Sequence, residues 1–169
     1  MTLRPRRAAA MKLIIDGYNL LHASGVFGAD RGERAFEASR RALLDMLADL
    51  LGDEAGHTVV VFDAARAPDG LPGRLTHRGI RVWFAREYPD ADSLIEELVE
   101  DATSPHLVVV SSDRRLQAAA RRRRAKAVTC EDWLAEARAA RRRSRQAGDA
   151  KPPEPGPEGA EYWKRYFDL

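Results

Sequence analysis

Asp16 in LIIDGYN, Asp63 in VVVFDA, Asp92 in PDADSLIEEL and Asp113 in VVVSSDRRL are the residues of this sequence best suited to chemistry. Each stands where an apolar, strand-like run ends or a helical pattern begins. In an open α/β sheet, ligands bind in the crevice beyond the carboxyl ends of the strands. Acids sent there from several strands meet at one point, and carboxylates that meet without a basic partner repel one another. A bound cation usually neutralises such a cluster. The pattern predicts a metal-dependent hydrolase acting on an anionic substrate.

The four acids differ in what surrounds them. Asp16 precedes Gly17, Tyr18 and Asn19. Gly17 allows a sharp backbone turn, and Asn19 can orient a carboxylate or a water through its amide. Asp113 follows Ser111 and Ser112 at a helix start, where the positive end of the helix dipole favours anions. N-capping alone would also account for Ser111, Ser112 or Asp113. Asp92 is preferred to its neighbour Asp90 because Ile95 and Val99 set the buried face one turn on. Glu96, four residues after Asp92, is either a further ligand or a solvent-facing charge, and Asp63 is expected to support the others. Hard oxygen donors, with no His/Cys pair at zinc spacing, point to Mg²⁺ or Mn²⁺. The histidines are scattered, and only His22 and His77 are placed near strand ends, with surface roles the simpler reading. A divalent ion on such carboxylates activates water and stabilises the charge that develops on a phosphodiester. Neither G-x-x-x-x-G-K-[ST] nor G-x-G-x-x-G after a strand occurs, which disfavours nucleoside triphosphates and dinucleotides.

Positioning these acids requires strands at Lys12–Asp16, Thr58–Asp63, Ile80–Ala85, Leu107–Ser111 and Ala127–Cys130. Three carry continuous apolar runs (LII, VVVF, LVVV), as central parallel strands covered on both faces do. Phe36, Leu43, Leu47 and Leu50 share one face of a helix over Glu33–Leu51, which Gly52 ends. A second helix from about Asp92 buries Leu94, Ile95, Leu98 and Val99, and Pro105 blocks its continuation. A third covers Arg114–Arg124. Thr129-Cys130-Glu131-Asp132 resembles a capping box and opens a last helix to about Gln146. Alternating β and α elements predict a three-layer α/β/α sandwich with a mainly parallel sheet of about five strands. Residues 64–79 are read as a long loop.

The chain of 169 residues, 44% hydrophobic, is long enough for one domain with a core. No apolar run approaches the roughly 20 residues a membrane helix needs. The N-terminal stretch is too short and too interrupted by Lys12 and Asp16 for a signal peptide. Residues 1–10 are read as a disordered basic extension, with Met11 an alternative start, and 11–146 as the domain. Residues 147–160 are read as a Pro/Gly linker, and 161–169 as an aromatic tail whose Trp163, Tyr166 and Phe167 dock on the body or bind a partner. A single cysteine, Cys130, fits a reducing cytoplasm and reads as a small semi-buried residue at a helix start. Residues 111–145 hold twelve Lys/Arg against four Asp/Glu, a balance of +8 in a chain of net +2, which leaves −6 elsewhere. Such asymmetry is the footprint of a polyanion-binding surface, the alternative being a solvated helix face.

IIDGYNLLHA, VVVFDA, DADSLIEEL and VVVSSD, in this order over roughly residues 11–146, resemble the NYN branch of the PIN-like nucleases. The resemblance is greatest to the bacterial YacP-like proteins, which include a ribosome-associated endoribonuclease. It implies a metal-dependent RNA endonuclease with Asp16, Asp92 and Asp113 as the acidic site and Asn19 and Asp63 in support, Ser112 and Glu96 remaining nearby candidates. RNA, or the ribosome, would then lie on the arginines: Arg66, Arg74 and Arg78 of the 64–79 stretch, Arg114 and Arg115, and Arg121, Arg122, Arg123 and Arg124. The Pro-rich tail after Ala147 departs from anything the resemblance covers. Two rivals compete. A haloacid-dehalogenase-like phosphatase would have an acid two positions after Asp16, where Tyr18 stands. An RNA- or ribosome-binding module with a dead site would have no need to retain mutually repelling acids. Oligomeric state and RNA preference are left open.

Overall fold

A computed structural model describes residues 10–26, 33–66, 70 and 72–149. The expected extension before residue 10, the linker from residue 150 and the 161–169 tail lie outside the described residues. Six strands form one sheet: β1 (Leu13–Asp16), β2 (Thr58–Phe62), β3 (Arg74–His77), β4 (Ile80–Phe84), β5 (Val108–Val110) and β6 (Lys126–Val128). Their order is β3-β4-β2-β1-β5-β6, with every pairing parallel except β3 with β4. The helices are α1 (Gly17–Ser24), α2 (Glu33–Leu51), α3 (Ala91–Asp101), α4 (Arg114–Arg122) and α5 (Cys130–Asp149). No helix among the described residues is long and apolar enough to cross a membrane.

The apolar strands lie in the middle because they are covered on both sides. All of β2 is buried, and alternate residues feed two cores. Ile15, Val60 and Phe62 point to one core with Leu20 and Leu21 of α1, Leu43 and Leu47 of α2 and Leu134 of α5. Ile14, Val59 and Val61 point to the other, with Leu94, Ile95, Leu98 and Val99 of α3 and Leu116 of α4. This is the three-layer sandwich that the β/α alternation demands.

Three local readings needed correction. The stretch 64–79 is not all loop: Arg74–His77 form the antiparallel edge strand β3, joined to β4 through Arg78 (φ 47°) and Gly79 (φ 90°). Two consecutive left-handed residues are what a two-residue type I′ hairpin needs, and Asn-Gly is its usual signal. Arg-Gly hides it. Secondly, α1 follows β1 directly, a helix that the expected elements did not include. Gly17 is required there for space: a Cβ would lie 2.5 Å from the Phe62 ring and 2.8 Å from the Val61 carbonyl oxygen. Thirdly, α5 runs on to Asp149, taking in the first residues of the expected linker. Gly52 does end α2, in the left-handed region at φ 52°. The chain divides into two units, Met1–Ala137 and Arg138–Leu169; of the second, residues 138–149 are the described part and are helical.

Candidate functional site

Strand order places the site. From β1 the chain moves outward to β2 and β4, then returns across the sheet to β5 on the other side of β1. The carboxyl ends of β1 and β5 therefore flank a topological switch point, where α/β sheets open a crevice. Asp16 ends β1 and is 8% exposed; Ser111 follows β5 and is 1% exposed. Ser111 Oγ donates to Asp16 Oδ2 at 3.0 Å and accepts the Asp113 N–H at 3.1 Å, tying the two strand ends together. Gln117 Nε2 donates to the Ser111 carbonyl at 3.1 Å.

The Asp16 carboxyl is pushed up to about 6, first by burial and then by the charges of Asp92 and Asp113, against the lowering effect of the Ser111 hydroxyl and the Asn19 N–H. Asp92 is raised as well, by burial first and then by Asp113 and Asp90. Asp90, not Asp92, caps α3: its Oδ1 accepts from Ser93 N–H at 2.8 Å and Ser93 Oγ at 2.7 Å. Asp92 is thereby released from capping and shares the field of Asp16 and Asp113. Asp113 caps α4, accepting the Arg115 N–H at 2.7 Å, while its charge still acts on the other two acids.

The remaining acids are otherwise engaged. Asp63 Oδ1 accepts the Ala65 N–H at 3.0 Å in the 3-10 turn Ala64–Arg66 after β2. Glu96 is gripped by Arg115, whose Nε and Nη2 lie 2.7 and 3.1 Å from its carboxylate, and Arg115 also reaches Asp90 at 3.5 Å. Arg115 is thus the counter-ion at the rim of the acid set, a role that its place in an arginine-rich run did not suggest. Among the described residues, no three His, Cys, Asp or Glu side chains are gathered into a group that could hold a metal ion as they stand. Asp16, Asp92 and Asp113 are nevertheless close enough for their charges to act on one another.

Asn19 is fixed from behind. Its Oδ1 accepts the Ser112 N–H at 3.2 Å and the Cys130 thiol at 3.1 Å, and among the described residues its Nδ2 protons have no partner. Ser112 Oγ donates to Glu131 at 2.9 Å and accepts the Cys130 N–H at 3.3 Å, linking the start of α5 to the site. Cys130 is fully buried, deeper than expected, and burial pushes its thiol up to about 12, with Asp16 adding to the rise. It is a hydrogen-bond donor here rather than a nucleophile. Ser111 and Glu131 were missing from the residues singled out as site candidates. Ser111 had a signal: it is the first polar residue after VVV, as Asp16 is after LII.

The arginines are split between two edges of the sheet. Arg66, Arg74 and Arg114 lie toward the carboxyl edge: Arg66 closes the turn after β2, Arg74 pairs with Trp83 near the end of β4, and Arg114 begins α4. Arg78 is at the amino edge, bound to Asp49 at 2.8 Å and near Asp45 at 3.6 Å. His77 is there too, on Asp45 at 2.8 Å, far from any site role. Arg121 to Arg124 end α4 and precede the amino end of β6, so the nine residues of α4, about 13 Å of helix, separate them from Asp113. Arg123 caps α3, donating to the Val99 and Ala102 carbonyls at 3.4 and 3.2 Å. A surface depression of about 480 Å³ runs along α2 by Glu37, Arg41 and Asp45 and contains none of the candidate site acids.

Comparison with known proteins agrees with this architecture. A family model described as the YacP-like NYN domain matches residues 13–165. The crystal structure of Rae1 (YacP) from Bacillus subtilis superposes with a TM-score of 0.62 at 26% identity, covering 93% of this chain and 92% of that one. A tryptophan-to-leucine mutant of the same protein gives 0.62 and 26%, covering 80% of each chain. Comparison with curated proteins returns no match. The buried aspartate at the switch point, the order of the acids along the chain and the family match over nearly its whole length lead to one conclusion: the chain belongs to the YacP-like NYN domain family, with its PIN-like, nuclease-type fold.

Proposed function

We propose that the protein is a metal-dependent endoribonuclease that hydrolyses RNA phosphodiester bonds in the cytoplasm, with ribosome-associated mRNA as its substrate. One observation carries the reading: a nearly buried aspartate at the switch point shares its field with two further acids, and its own charge is disfavoured. Burial and like charge make a divalent cation the natural partner, and the all-oxygen donor set fits Mg²⁺ or Mn²⁺. Asp16, Asp92 and Asp113 would hold it, with Asp63 and Glu96 at the margin. When bound, it would supply an activated water and neutralise charge on the scissile phosphate.

The chain's own residues do the positioning. Ser111 orients Asp16 from below. The Cys130 and Ser112 contacts fix the Asn19 carboxamide so that its free N–H groups can donate to a phosphate oxygen or a water. Arg115 pairs with Glu96 and Asp90, and its charge reaches Asp92 more weakly than burial, Asp113 and Asp90 do. Arg66, Arg74 and Arg114 flank the carboxyl edge where the strand would lie.

The test is to incubate the purified protein with a mixed RNA pool, with Mg²⁺ or Mn²⁺ or with chelator. Cleavage should require metal and vanish in Asp16→Asn. Equal cleavage by the variant would point to a contaminant. The looseness of the acid set favours a second reading, an RNA-binding module without cleavage, for which the same assay would show binding and no products in any metal.

A further inference from the structure

At the carboxyl end of β4, one strand beyond the neighbour of β1, lies a cleft of about 360 Å³, of whose lining the proposed reaction uses only Arg74. Its walls include Arg74, Trp83, Arg86, Glu87 and Tyr88, and Leu94 of α3 contributes an apolar surface. Arg74 and Trp83 are cross-strand partners on β3 and β4, and the Arg74 guanidinium lies over the Trp83 ring, 3.8 Å from its centroid. Trp83 is half-buried and Arg74 exposed, so the cation–π pair is open to solvent on one side. Tyr88 is held by its hydroxyl, which donates to Glu97 of α3.

The helix that supplies Leu94 and anchors Tyr88 also carries Asp92. Tyr88 stands four positions before Asp92, a reach of at most about 14 Å of chain. The cleft thus combines the Trp83 and Tyr88 rings, the Arg74 guanidinium over Trp83 and an apolar wall. Planar aromatic and guanidinium surfaces stack on any base that is free to leave its neighbours, and nearby cations neutralise its phosphate. Bases within a duplex are already stacked and paired, and cannot enter.

We propose that the Arg74–Trp83–Tyr88 cleft is a nucleotide subsite that takes one unpaired base of the RNA, next to the phosphodiester positioned at Asp16, Asp92 and Asp113. The subsite rests on the ribonuclease reading and narrows its substrate to single strands. Loss of a stacked base typically reduces affinity about 5- to 150-fold.

The full chain carrying Asp16→Asn, which should not cleave, is titrated with a 12-mer oligouridylate and with a 12-base-pair RNA duplex, binding being read by fluorescence anisotropy. Arg74→Ala and Trp83→Leu should each weaken single-strand binding within that range and leave duplex binding within about twofold, and Trp83→Tyr should restore it. Arg74 is exposed, so its variant carries the test should Trp83→Leu fail to fold. Equal losses on both RNAs would reduce the pair to a non-selective charge and overturn the subsite. Unchanged affinities in both variants would overturn it while leaving the nuclease reading intact. Failure of the parent to bind either RNA would overturn both.

Discussion

Asp16→Asn should make the metal-free protein more stable while abolishing cleavage. A carboxyl whose folded pKa lies above its unfolded value favours folding where it is protonated and opposes it where it is ionised. For Asp16 the rise is from 3.8 to about 6. At about 1.36 kcal/mol per unit, ionising it in the folded state costs about 3 kcal/mol. The penalty is absent below pH 4, grows between pH 4 and 6, and is complete at pH 7. Asparagine keeps the oxygen that accepts from Ser111 and cannot ionise, so it escapes the penalty. In a chain of this size the difference corresponds to roughly 6–12 °C in Tm. Thermal melts of both proteins in chelator from pH 4 to 8 should give curves that coincide at the acid end and separate as pH rises. Metal at one hundred times its dissociation constant contributes about 2.7 kcal/mol to the wild type alone, and should nearly close the gap. A variant no more stable than wild type at pH 7, or a gap that does not vary with pH, would refute the account of Asp16 as a buried, repelled carboxylate.

Gly17→Ala should cost about 1–3 kcal/mol in denaturant unfolding, because the new methyl meets the Phe62 ring at 2.5 Å and the Val61 carbonyl at 2.8 Å. Arg78→Asn should stabilise by about 0.5–1 kcal/mol at high salt, where its exposed ion pairs are screened, since Asn tolerates φ 47° better than Arg does; a loss of stability would show that the Asp49 contact outweighs the backbone. Ser111→Ala should cost about 1.5–3 kcal/mol at pH 7 through the hydrogen bond to ionised Asp16, and should move the acid limb of the cleavage pH profile upward; an unmoved limb would separate Ser111 from the chemistry. Reversing Arg121, Arg122 and Arg124 to Glu should weaken binding of long RNAs and flatten its salt dependence, yet spare cleavage of oligonucleotides too short to span from the acids to the far edge. Slowed cleavage of the short substrates would contradict the separation that α4 imposes.

Periodicity and strand-end polarity were enough for the layered fold, the central strands and the two helices that bury Leu43, Leu47, Ile95 and Val99, because these depend on local spacing and on apolar area. The same local pattern set Asp16, Asp92 and Asp113 apart, since strand ends are legible once the strands are. What escaped was whatever depends on a contact across the fold. Arg-Gly reads as loop, and only its pairing with β4 makes Arg74–His77 a strand. Gly17 reads as flexibility until Phe62 is seen against it.

Charge was the least legible feature. The run from Arg114 to Arg124 looks like one basic surface, but a helix that leaves the carboxyl edge must carry its far end to the amino edge. One helix thus holds Arg115 on the acids and Arg121 to Arg124 away from them. The sequence by itself determined the central strands, the long helices and the layered fold, and pointed to candidate acids, through short-range propensity and hydrophobic pattern. Tertiary structure alone decided which acids share a field, that the Ser111 hydroxyl and the Asn19 N–H bond Asp16, and which arginines lie toward the same edge of the sheet. Electrostatic energy depends on distance through space and on burial, and neither is written in the order of residues.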